Sequence, residues 1–290
     1  MFTRGIIFSL LACLALAGCS GTSADSGREQ AADSLAVASV ETTHSRKADG
    51  PDANLSKPAD ANHPLAPAIQ WAKEIKAGIE RNVRDYTATL MKRERSSGNA
   101  ENLIKAKIRH KPLSIYVAQL APEKKKGEEA IYIDGQNDGK LWGHTTGILG
   151  KMVGTVSLKP DDSWAMKGQH YPMTEIGILN LCKRLIAVGE EDMQHGECEV
   201  KFDRRVDLNG RECTCVEVTH PAPRKHFRFH IAKIFVDNEL KVPVRYAAYD
   251  WPKDGGEPEL IEEYEYRDLK LNVGLTDSDF DVKNPEYQFP

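Results

Sequence analysis

Hydrophobic positions recur along this chain in two periods, and the switches between them lay out its elements. Leu65, Ile69, Ala72, Ile75, Ile79 and Val83 fall three and four residues apart, backed by Lys73, Lys76, Glu80 and Arg84, with Pro64 in the first turn. That spacing predicts an amphipathic helix whose stripe must cover something. The period then drops to two: Tyr86 to Arg95, Leu103 to Arg109, Ser114 to Leu120, Glu129 to Asp134, Lys140 to Thr145 and Thr155 to Leu158 read as strands separated by turn residues. Strands joined by short links predict an antiparallel sheet. A second helix is expected from about Thr174 to Gly189, with Ile178, Leu181, Cys182, Leu185 and Val188 on one side and either Gly189 or Gly196 ending it.

A hairpin follows. A three-residue loop at Leu208-Asn209-Gly210 sets Phe202 against Val216 and Val200 against Val218, which keeps one face apolar. The last third reads as Phe227 to Val236, Val242 to Tyr249 and Leu260 to Leu271, joined at Asp237-Asn238 and Asp254-Gly255-Gly256. The fold class is therefore α+β: a long antiparallel sheet that curls into an incomplete barrel, with two main helices covering its concave side. Trp142, Phe227, Phe229, Tyr246, Tyr264 and Tyr266 are the candidate lining of an apolar cavity on that side, where core filling is the plainer role for aromatic side chains.

Upstream of the first helix the pattern is different. Arg4 precedes an apolar run from Ile6 to Ala17, too short to span a bilayer and suited to a signal-peptide core. The stretch Leu16-Ala17-Gly18-Cys19 resembles the lipobox of bacterial lipoproteins. That resemblance implies a signal peptide over residues 1–18 and a lipid anchor on Cys19, with Ser20 implying the outer membrane, facing the periplasm. Residues 20–62 contain no Phe, Trp or Tyr and only Leu35, Val37, Val40 and Leu55 as large aliphatics. They cannot bury enough apolar surface to offset the entropy of ordering, so residues 19–62 read as a tether, roughly 35–40 Å end to end, ahead of a single domain over 63–290.

Composition narrows the chemistry. Charged residues make up 28% of the 290 and the formal net charge is −4, so nothing points to nucleic acid. Besides Cys13 and Cys19 there are Cys182, Cys198, Cys213 and Cys215, four thiols with three possible pairings that the sequence does not rank. The motifs of serine hydrolases, zinc proteases, phosphate loops and dinucleotide sites are absent, so no enzymatic activity and no cofactor are expected; Asp250, His220, His226 and Glu175 are the residues a catalytic alternative would use. His220, His226 and His230 suggest a metal cluster, but in an extended strand His226 and His230 lie about 13 Å apart, too far for one ion. Asp134-Gly135-Gln136-Asn137-Asp138-Gly139 opens like a calcium loop yet has Thr145 where a bidentate Glu belongs, which favours a plain turn. Lys105, Lys107, Arg109 and Lys111 form a basic stripe along one strand face, either solvated or set against anionic head groups or glycan.

Several longer motifs carry a resemblance: Asp85-Tyr86-Thr87-Ala88-Thr89-Leu90, Lys92-Arg93-Glu94-Arg95, Asn137-Asp138-Gly139-Lys140-Leu141, Tyr171-Pro172-Met173-Thr174-Glu175-Ile176-Gly177, Arg245 through Trp251 and Leu271 through Asp277. Over residues 63–290 the chain resembles the bacterial family called domain of unknown function 1571. More distantly, the order helix, strands, helix, strands and the terminal Asn272-Val273-Gly274-Leu275 are similar to periplasmic lipoprotein carriers and receptors of the LolA and LolB type. That resemblance implies a half-barrel that holds acyl chains. The expected function is membrane-anchored, non-catalytic binding of a lipid or lipoprotein chain; the alternative is an envelope module with a packed interior that binds another protein.

Overall fold

The computed structural model describes residues 62–290; the apolar leader, Cys19 and the expected tether up to residue 61 lie outside them. Helix α1 (Ala66–Asn82) leads into β1 (Asp85–Glu94), β2 (Asn102–His110), β3 (Leu113–Ala121), β4 (Glu129–Ile133) and β5 (Leu141–His144). A short α2 (Gly147–Val153) and β6 (Val156–Leu158) precede α3 (Ile178–Asp192). The chain ends with β7 (Glu199–Leu208), β8 (Arg211–Thr219), β9 (Ile231–Asp237), β10 (Pro243–Tyr249) and β11 (Leu260–Leu271).

All eleven strands join one antiparallel sheet in the order β6-β5-β4-β3-β2-β1-β11-β10-β9-β8-β7. The sheet is curled and does not close, and two main helices accompany it, the architecture that the resemblance implies. Each half is a meander of hairpins. At the centre β1 pairs with β11, with Tyr86 opposite Leu271 and Glu94 opposite Glu262.

The helices differ from expectation at their ends. α1 begins at Ala66, so Pro67 occupies the first turn, where a missing N–H costs nothing. α3 begins at Ile178 and runs through Gly189 to Asp192, so neither expected glycine ends it. Gly189 instead governs how the helices pack: a Cβ there would stand 2.2 Å from Ile69 Cδ1, so its bareness lets α3 approach α1. The amides that open α3 are satisfied from the sheet below. Tyr266 Oη accepts the Gly177 N–H at 3.0 Å, and Tyr86 Oη accepts the Ile178 N–H at 3.0 Å.

The β7–β8 hairpin keeps the expected pairs, Val200 with Val218 and Phe202 with Val216. Its loop, however, holds two residues, because Leu208 pairs with Arg211 and Asn209-Gly210 turns with φ of 55° and 79°. A bulge between Asp203 and Val206 absorbs the odd residue and restores the apolar register. β9 begins at Ile231, four residues later than the aromatic alternation suggests. Cys182, Cys198, Cys213 and Cys215 are all buried free thiols.

One face of the sheet is covered by the helices and the other, over β3 and β4, by the C-terminal segment. Tyr86, Leu90, Ile108, Ile115 and Tyr132 pack beneath the helices with Ile79 and Ile178. On the other face Tyr116, Ala118, Ile131 and Ile133 pack against Phe280 and Tyr287 of the C-terminal segment, which runs back across β3 and β4. This segment also takes up two of the four residues of the basic stripe, while Lys105 and Lys111 are exposed. Lys107 Nζ meets Asp279 Oδ1 at 2.8 Å, Arg109 Nη1 meets Asp277 Oδ1 at 2.7 Å, and the Arg109 guanidinium lies over the Phe280 ring.

Candidate functional site

Between α1, α3 and strands β8–β11 lies a cavity of about 250 Å³. Ala72 and Ile75 come from α1, Leu185 and Val188 from α3, and Val216 and Tyr246 from the sheet, and apolar side chains make up most of the wall. An engineered cavity of about 150 Å³ with such a lining stays dry and takes up small apolar molecules, so a space of this size suits an apolar group better than water. Its existence follows from the residues that frame it: Gly189 sets the separation of the helices at one point, while Ala72 and Ala248 leave room that larger side chains would fill.

One flank of the cavity is polar and tightly organised. Glu262 Oε2 accepts from His170 Nδ1 at 2.7 Å, and Glu262 Oε1 accepts from the Tyr171 hydroxyl at 2.9 Å. The Tyr264 hydroxyl donates to Glu94 Oε1 at 2.5 Å, and Lys92 Nζ donates to Glu94 Oε2 at 3.1 Å. Glu94 and Glu262, cross-strand neighbours, are 1% and 4% exposed. Burial holds the Tyr264 phenol far above its ordinary value, with Glu262 and Glu94 adding to the effect, so it remains a donor. Burial also lowers the Lys92 ammonium, while Glu94 opposes the shift. Arg184 lies over the Tyr171 ring at 3.8 Å and is paired with Glu175.

A second polar group lines the cavity at the C-terminal end of α3. Asp192 is 4% exposed and its carboxyl is pushed up to about 6 by burial, against the pull of Arg228. Behind it the His220 ring, fully buried, stacks on Phe227 at 3.8 Å.

The six expected lining aromatics divide. Phe229 and Tyr246 line the cavity. Tyr264 stands one layer further on, its ring stacked with Tyr246 at 6.5 Å and its hydroxyl committed to Glu94. Tyr266 lies beneath the start of α3, and Phe227 backs His220. Trp142 lies on the opposite face with the C-terminal segment, because the alternation of β5 turns Leu141 inward. The residues of the catalytic alternative do not converge: Asp250 pairs with Arg95, Glu175 with Arg184, and His226 stacks on His195. Among the described residues no group of three or more His, Cys, Asp or Glu side chains is placed to hold a metal ion. The calcium-like stretch is the connection between paired strands β4 and β5, with Asn137 and Asp138 left-handed. Sequence reasoning missed the polar flank, although Lys92 and Glu94 share the parity of Tyr86 and Leu90, which marks them as inward-facing.

A family model described as a protein of unknown function, DUF1571, matches residues 83–289. The chain belongs to the DUF1571 family. Its matched region takes in every strand of the sheet together with α3, so most of the cavity wall belongs to the family domain. No curated protein matches this DUF1571 chain in sequence. Three solved structures to which it is similar are each 12% identical. An uncharacterized conserved protein from Thermus thermophilus has a TM-score of 0.42 over 72% of this chain and 91% of its own. A putative outer membrane lipoprotein-sorting protein domain from Vibrio parahaemolyticus scores 0.36, over 73% and 95%. A LolA superfamily protein from Nitrosomonas europaea scores 0.28, over 72% and 97%.

Proposed function

We propose that this DUF1571 chain is a lipid-anchored envelope protein, held through Cys19 at the outer membrane and facing the periplasm, that binds the acyl chain of a lipid or lipoprotein without catalysing a reaction on it. The observation that carries the reading is the apolar cavity of about 250 Å³ beneath α1 and α3. A packed interior would have favoured a protein-binding module instead. The lipobox-like Leu16 to Cys19 stretch supports the anchor, and residues 19–62 would give the body reach from its membrane.

The test is uptake of a fluorescent acyl probe by the full chain, together with mass spectrometry of lipids extracted from it after purification. Saturable uptake is expected, and Ala72→Phe, which fills the cavity from α1, is expected to abolish it while leaving the circular dichroism spectrum unchanged. Absence of both uptake and extractable lipid would overturn the binding role. The anchor is tested separately: Cys19→Ala is expected to move the protein from the detergent phase to the aqueous phase.

A further inference from the structure

The charged groups on the cavity wall differ in what they already hold. Arg228 is paired with Glu191 at 2.7 Å, Arg184 with Glu175, and both carboxylate oxygens of Glu262 accept from His170 and Tyr171. Asp192 is the exception. Among the described residues the side chain that comes within hydrogen-bonding range of its carboxylate is His220, with Nε2 at 3.5 Å from Oδ2. That neighbour offers no proton. The Phe229 carbonyl, 3.1 Å from His220 Nδ1, can only accept, so the ring's proton sits on Nδ1. Burial disfavours the charged form of the imidazole, and Nε2 is a buried nitrogen with no hydrogen-bond partner. A carboxylate and an imidazole lone pair thus face each other, and Asp192 is one of the residues that line the cavity.

Such an arrangement selects among apolar ligands by their polar end. A head that donates hydrogen bonds relieves the unpaired acceptors, whereas a carboxylate or phosphate adds a third acceptor in an apolar wall, where burying unpaired charge is costly. We propose that the cavity's ligand is an amphiphile whose polar end donates hydrogen bonds to the Asp192 carboxylate, a protonated amine being the best fit. This rests on the acyl-binding reading above and specifies the class of head group. The other groups around Asp192 are Arg228 and Glu191, which are paired with each other, and Cys198. Burial pushes the Cys198 thiol up to about 11, so it stays protonated and carries no charge into the site.

The experiment compares three twelve-carbon probes below their micellar concentrations: dodecylamine, dodecanol and dodecanoate. Each competes with a fluorescent acyl probe bound to the full chain. At about pH 8, dodecylamine is expected to bind about tenfold or more tighter than dodecanoate, with dodecanol between them. At about pH 5 the advantage of dodecylamine over dodecanol, neither of which titrates in this range, is expected to shrink by about threefold or more, because Asp192 is then protonated. Asp192→Asn is expected to remove the preference at both pH values while dodecanol still binds. The wild-type pH comparison keeps the test decisive should that variant fold poorly. Equal binding of amine and carboxylate at pH 8, or tighter binding of the carboxylate, would overturn the head-group assignment and leave the acyl-binding role standing. Failure of all three probes to compete would overturn both.

Discussion

Gly189 offers the sharpest test of how α1 and α3 are held over the sheet. Within a helix, Gly→Ala ordinarily stabilises by about 1 kcal/mol. Here the new Cβ would stand 2.2 Å from Ile69 Cδ1 and 3.3 Å from Ile69 Cγ1, against an optimal carbon–carbon separation of about 3.5–4.0 Å. Relieving that overlap by moving a buried side chain costs about 1–3 kcal/mol. The net expectation for Gly189→Ala is a loss of about 0–2 kcal/mol. Ile69→Val, which deletes Cδ1, costs about 0.5–1.5 kcal/mol alone. In the double variant the alanine methyl fills the space Cδ1 has left, and stability is expected to return to within about 0.5 kcal/mol of wild type, a rescuing coupling of about 1–3 kcal/mol. Urea denaturation of the four proteins, followed by circular dichroism, measures every corner of this cycle. Additivity within about 0.5 kcal/mol, or a Gly189→Ala variant stabilised by the full helix-propensity gain, would refute the reasoning.

Three further outcomes are expected. The Asp192 carboxyl sits at about 6 in the folded chain against an ordinary 3.8, so between these values the native state binds the extra proton and stability falls as pH rises. The penalty reaches about 3 kcal/mol above pH 6, so Asp192→Asn should raise the melting temperature at about pH 8 and leave it nearly unchanged at about pH 4, as thermal scans at both would show. Tyr86→Phe removes the acceptor of the Ile178 N–H in a fully buried site and should cost about 1–3 kcal/mol in urea; Gly177→Ala, whose Cβ would lie 2.8 Å from the same hydroxyl at a φ of 123°, should also destabilise the protein. Asp279→Ala leaves the buried Lys107 ammonium with only the Tyr116 and Tyr287 rings and frees the Thr276 N–H; it should cost on the order of 2–4 kcal/mol in urea, part of it recovered by adding Lys107→Met.

Where one force dominates a stretch, the residues alone are enough to place it. β11 runs from Leu260 to Leu271 as its alternation implies, and the Val200–Val218 and Phe202–Val216 pairs follow from keeping apolar side chains on one face. The turn beyond those pairs is one residue shorter than expected because a bulge elsewhere in the same strand can absorb a residue, and nothing in Asp203 through Val206 announces it. Phe227 and Phe229 imitate a strand for a different reason: one stacks on His220 and the other lines the cavity, so their spacing reflects two separate docking sites. Trp142 exposes a more general limit. Period two says that neighbours in a strand face opposite ways, but β3 and β4 bury Ile115 beside Tyr116 and Ile131 beside Tyr132. With α-helices on one side and the C-terminal segment on the other, hydrophobicity no longer tells inside from outside. The cavity was legible only as a possibility of the architecture, since a hollow is defined by atoms that are missing, at Gly189, Ala72 and Ala248, and small residues are equally at home in a filled core.

The pairing of β1 with β11 bears on how this chain can assemble. Tyr86 and Leu271 lie side by side in the middle of the sheet although nearly the whole body separates them in the chain. Bringing them together closes a loop of roughly 180 residues, whose length-dependent entropy alone is about 5 kcal/mol. As the polypeptide emerges from its ribosome, the two outer meanders can zip from local turns while the join between them waits for nearly the last residue. A product cut short before residue 260 would therefore retain two raw sheet edges, each able to recruit a foreign strand, so premature termination is expected to yield aggregates and not a smaller soluble protein.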